Sequence, residues 1–188
     1  MSSTILLIRH AEKPNATAGA VAPDGSSDPE SLIVPGWQRA GALAVFFGAK
    51  GGAMTPQRIY ASSSGKKKLG HKEKIGSDSE RPMLTVSSLA AKLEKTPIDK
   101  FTKGQEAALA EELVSLDGTT LVCWQHEAIP AIATAILGSG DGVPDPWPSD
   151  RFDAVWRFVR AAPGGSWTFD QLCPQLLAGD KPDPIQPA

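Results

Sequence analysis

The chain has 188 residues, 41% of them hydrophobic and 21% charged, with a formal net charge of −2. That length supports one domain with a sizeable core, and the balance excludes a disordered or fibrous chain. It gives no general basis for nucleic-acid binding or for a polybasic membrane surface.

In chain order, "TILLIRH" is a short continuous apolar run, the pattern of a fully buried strand in a parallel sheet. Asn15 to Gly36 is dense in Ala, Gly, Pro, Ser and Asp and reads as a long irregular loop. "WQRAGALAVFF" predicts a helix from about Trp37 to Phe47, closed by the glycines of "GAKGGAMTP". "QRIYA" reads as a second strand, and "SSSGKKKLGHKEKIGSDSE" as a second long, basic loop. "RPMLTVSSLAAKLE" predicts a helix with Pro82 in its first turn. "TPIDKF" suggests a brief strand, and "KGQEAALAEELVSL" a helix with a clear apolar stripe.

"TTLVCWQH" repeats the opening design, and "AIPAIATAILG" follows it as a helix closed by Gly138. "RFDAVWRFVR" and "SWTFDQLC" read as strands paired across "APGG". The tail, about 174–188, reads as flexible and frayed. Strands alternating with helices predict one domain over 1–188 with a three-layer α/β/α architecture and a mainly parallel sheet. Cys123 and Cys173 are too few for a disulfide framework and read as reduced thiols. Only Ile5 to Ile8 is apolar at the N-terminus, too short for a secretory signal, and no run approaches the roughly 20 residues of a membrane span. A cytoplasmic protein is expected.

Two segments, "ILLIRH" and "LVCWQH", share one plan: an apolar strand ending in histidine, followed by a loop and a helix. In a doubly wound sheet, ligands bind outside the carboxyl ends of the strands. If these strands are neighbours, His10 and His126 arrive together, and the chain has only three histidines.

"LIRHAEKP", "CWQHEAIP" and "RPMLT" together resemble the histidine phosphatase superfamily, whose fold is phosphoglycerate-mutase-like. "RFDAVWRF" resembles a late strand of its small members, so the likeness runs from about Thr4 to Val159. In "RPMLT", Pro82 stands where alanine is common. The resemblance implies a phosphatase with His10 as nucleophile. Arg9 and Arg81 would grip the phosphoryl oxygens, and His126 would stabilise charge on them.

Phosphoryl transfer calls for such a set: an in-line nucleophile, forked guanidinium donors around the equatorial oxygens, and no obligatory metal. The expected partner is a small phosphorylated substrate, contacted also by Glu12 and Lys13; no cofactor, nucleic acid or membrane is expected. Glu127 is the first candidate for general acid and Glu12 the second. A lysine of 66–68 is the rival to Arg81 for the second phosphate-binding charge, because the segment after "YAS" holds lysines rather than arginine. His71 reads as a loop residue. The alternatives to a hydrolase are a phosphomutase of the same fold and a non-catalytic phospholigand-binding protein. Metal chemistry is disfavoured by the lack of an H-E-x-x-H pattern and by Arg9, and Cys123 lies mid-strand, away from any activating group.

Overall fold

A computed structural model describes residues 2–49, 51–65 and 77–187. Its elements are β1 (Ser3–Arg9), α1 (Val34–Phe47), β2 (Arg58–Ala61), α2 (Arg81–Lys92), α3 (Glu106–Ser115), β3 (Gly118–Trp124), α4 (Ile129–Leu137), β4 (Val155–Arg160) and β5 (Thr168–Leu172). A single 3-10 turn, His126–Ala128, joins β3 to α4. The strands form one sheet in the order β2-β3-β1-β4-β5. β2, β3 and β1 run parallel, while β4 and β5 are antiparallel to their neighbours. The sheet is therefore mostly but not wholly parallel.

β1 sits in the middle, which explains why its residues are apolar on both faces. Ile5 and Leu7 join Val122, Trp124, Trp156 and Phe158 beneath α3 and α4. Leu6 and Ile8 join Leu121, Cys123 and Val155 beneath α1 and α2. Two helical layers enclose the sheet, giving the expected three-layer architecture. None of the described helices is long and apolar enough to cross a membrane.

Three local expectations change. α1 begins at Val34, three residues early, because Pro35 suits a first turn whose N–H groups need no helical partner. Gly36 in that turn is required by packing: a Cβ there would lie 2.7 Å from the Glu12 carbonyl oxygen. "TPIDKF" forms no strand, only a bridge between Ile98 and Tyr60. The strand read from Arg151 starts at Val155, since Arg151 and Asp153 pair with each other at 2.7 Å.

The tail is packed where the sequence reads as frayed. Ile185 lies in the core, and Gln171 both donates to its carbonyl (2.8 Å) and accepts from its N–H (3.0 Å). Lys181 N–H donates to Asp153, and Arg151 Nη2 donates to the Asp183 carbonyl. The apolar signal of this segment is a single isoleucine, and its other anchors are polar groups whose partners are distant in sequence.

Candidate active site

The parallel register sets Arg9 opposite Trp124, and the His10 N–H donates to the Trp124 carbonyl at 3.0 Å. His10 therefore leaves β1 beside the point where β3 runs into Gln125 and His126. The two strand-end histidines share one carboxyl edge at the centre of the sheet.

His10 is buried, 4% exposed, with Nδ1 2.8 Å from the Ala11 carbonyl oxygen. A carbonyl only accepts, so Nδ1 carries the ring proton and Nε2 keeps its lone pair. Burial, then the charges of Arg9, Arg81 and His126, lower the His10 pKa to about 3 against the opposing Ala11 hydrogen bond. The imidazole is neutral at physiological pH.

Arg9 is also buried, 1% exposed, and stacks 3.7 Å over the Phe152 ring. Its Nη1 donates to the carbonyls of Ser149 (2.7 Å) and Arg151 (3.1 Å). Its Nε and Nη2 are buried without a partner among the described residues. Those two nitrogens form the edge with which guanidinium grips an oxyanion in parallel. Burial lowers the Arg9 pKa to about 10, which leaves it cationic at neutral pH.

Arg81 opens α2, and Thr85 one turn later ties that helix to the end of β1. The Thr85 hydroxyl accepts from Ala11 N–H at 2.8 Å and donates to the Arg81 carbonyl at 2.7 Å. The Arg81 guanidinium is occupied by the first long loop, through the Ser31 carbonyl (3.1 Å) and the Pro29 carbonyl (2.6 Å). It thus fastens that loop while its charge acts on His10. The rival lysines, Lys66 to Lys68, and His71 lie outside the described residues.

On the other side, Glu127 lies between Lys103 and His126. Its Oε1 accepts from Lys103 Nζ at 2.5 Å, and its Oε2 lies 2.9 Å from His126 Nδ1, out of hydrogen-bond alignment. Burial opposes ionisation of Glu127, but Lys103 and His126 outweigh it and hold the carboxyl below its usual range. Burial, then Arg9, lowers the His126 pKa, with Glu127 opposing and exposed Lys13 adding a smaller repulsion.

Glu12 points its Oε1 at Arg39, whose Nε donates at 2.8 Å. Arg39 also pairs with Asp180 at 2.8 Å. The carboxylate of Glu12 is thus committed to a buried ion pair. Sequence reasoning missed Arg39, Thr85, Lys103, Gln125 and Phe152. Thr85 and Gln125 lay inside the singled-out motifs, whereas Phe152 and Lys103 come from loops whose composition carries no such signal. Among the described residues no group of three His, Cys, Asp or Glu side chains is placed to hold a metal.

No family model matches the chain, and no curated protein does. Solved structures do match. The native mycobacterial glucosyl-3-phosphoglycerate phosphatase Rv2419c is 12% identical over 90% of this chain and 98% of its own, with a TM-score of 0.57. The protein histidine phosphatase SixA complexed with tungstate is 14% identical over 91% and 97%, with a TM-score of 0.57. Mycobacterial hydrolase 1 is 14% identical over 90% and 97%, at 0.55. The chain shares its fold with these structures across nearly its whole length.

Proposed function

We propose that this chain is a phosphomonoester hydrolase that works through a phosphohistidine on His10 and needs no metal. The observation that carries the reading is the pairing of a neutral His10, its lone pair on Nε2, and an adjacent arginine whose bidentate edge is buried and unpartnered among the described residues. A nucleophile and an anion grip stand side by side. Their surroundings supply further positive charge from Arg81, with His126 at the same edge.

In the first step His10 Nε2 forms a bond to phosphorus as the ester P–O bond breaks. Arg9, with charge from Arg81 and a further donor in His126, stabilises the equatorial oxygens. The departing alkoxide takes a proton, and Glu127 is the donor we assign. Lys103 favours the ionised carboxylate in the free enzyme, so an arriving phosphate dianion must raise the Glu127 pKa by like-charge repulsion. In the second step water attacks the phosphohistidine, Glu127 accepts its proton, and inorganic phosphate and neutral His10 are regenerated.

The fold neighbours support hydrolysis over mutase chemistry, since two are named as phosphatases. Their names support a substrate class that takes in a small phosphorylated metabolite or a protein phosphohistidine. Two free cysteines fit a cytoplasmic setting for a single 1–188 domain. Hydrolysis of p-nitrophenyl phosphate in EDTA tests the reading. Turnover is expected in the wild type and lost in His10→Ala; turnover surviving in the variant would overturn it.

A further inference from the structure

We propose that Gln125 is a phosphoryl-binding residue of this site, its side-chain amide donating a hydrogen bond to an oxygen of the phosphoryl group carried by His10. The inference rests on the reading of His10 as phosphoryl acceptor. Its test separates the two.

Placement comes from the sheet. Ile8 pairs with Cys123 and Arg9 with Trp124, so the next rung sets His10 beside Gln125, with strands about 4.8 Å apart. The backbone at Gln125 stays extended (φ −76°, ψ 132°), so the alternation of faces continues through it. Leu6, Ile8, Leu121 and Cys123 face α1 and α2. His10 and Gln125, two residues beyond Ile8 and Cys123, follow on that same face. This is the face from which α2 brings Thr85 onto Ala11.

Chemistry comes from burial. Gln125 is 4% exposed, and neither its Oε1 nor its Nε2 has a partner among the described residues. A buried amide without partners is destabilising, and methionine or leucine would fill similar space without that cost. Native chains keep such groups where something other than folding requires them. Here the neighbouring rung is the nucleophile, and Nε and Nη2 of Arg9, the residue before it, are unpartnered among the described residues as well. A phosphoryl group offers only acceptors, and the amide offers two N–H donors.

Inorganic phosphate is the probe, titrated calorimetrically into the full-length wild type and Gln125→Met, alongside p-nitrophenyl phosphate kinetics and thermal midpoints. Gln125→Met should keep or raise the thermal midpoint, because it removes a buried polar group that has no partner among the described residues. It should weaken phosphate binding about 10-fold and lower kcat/KM about 10- to 100-fold, the loss of one hydrogen bond to a charged group. Gln125→Glu should bind phosphate more weakly still through like-charge repulsion.

Phosphate affinity and kcat/KM within about twofold of wild type would overturn the proposal. So would a wild type that fails to bind phosphate, or a fall in the midpoint of Gln125→Met, which would assign the amide a structural partner instead. Hydrolysis persisting in His10→Ala would sink the phosphohistidine reading separately, because the calorimetric result for Gln125 does not depend on turnover.

Discussion

Arg39 Nη2 lies 2.8 Å from Asp180 Oδ1, and the same guanidinium holds Glu12, two residues after the proposed nucleophile. The C-terminal segment is therefore wired to the loop that follows His10. All three groups are buried or nearly so, which makes the pair costly to break and gives it little solvent screening.

Asp180→Asn should destabilise the protein by roughly 2–3 kcal/mol in urea unfolding, since it leaves Arg39 buried with one carboxylate instead of two. Deleting residues 174–188 should cost more, because Ile185 leaves the core with it. An Asp180→Asn variant as stable as wild type would show that the pair contributes nothing.

Thr85 joins the two halves of the site. Thr85→Val leaves Ala11 N–H without its acceptor and should cost about 1–3 kcal/mol. Turnover of p-nitrophenyl phosphate should fall with it, and Thr85→Ser should restore both. Failure of serine to restore turnover would assign the role to the threonine methyl group rather than the hydroxyl.

His10 makes stability pH-dependent with a definite sign. Its folded pKa of about 3 lies below the ordinary 6.5, so the unfolded state binds the extra proton between those values. Stability must then fall as pH drops below about 6.5, by roughly 2 kcal/mol at pH 5 from this group alone. Urea midpoints at pH 7.5 and 5 should separate more in wild type than in His10→Gln. Equal separations would mean that the imidazole is not desolvated as described.

Lys103 should set the pH range of the proton-donor step. Activity on an alkyl phosphate requires protonated Glu127 and should decline as pH rises through its pKa. Lys103→Ala removes a cation that favours the carboxylate, so the declining limb of kcat/KM should move to higher pH. Glu127→Gln should harm alkyl esters far more than nitrophenyl esters, whose leaving group needs no proton. An unmoved limb in Lys103→Ala, or equal losses on both esters, would remove Glu127 from this role.

The parallel half of the fold was legible because burial on both faces forces an unbroken apolar run, and "ILLIRH" and "LVCWQH" end in the same residue type. α2 was legible from Pro82 and the stripe behind it. The polar anchors were not. Glu12 looks like a free carboxylate beside the motif, and only the fold reveals that Arg39, 27 positions on, has taken it. Asp180 and Ile185 sit among prolines and glycines that locally read as loose chain, since their partners are far away in sequence. Gln125 lay in plain sight between Trp124 and His126, but an amide in a strand end carries no signal until the register places it against His10.

The most direct measurement is to mix the enzyme with labelled p-nitrophenyl phosphate in EDTA, quench in denaturing base, and locate the label on the chain. A base-stable, acid-labile phosphoryl group on His10, absent from His10→Ala, is what the proposed mechanism predicts. A wild type that turns over substrate yet never carries label on His10, or a His10→Ala variant labelled to the same extent, would contradict it.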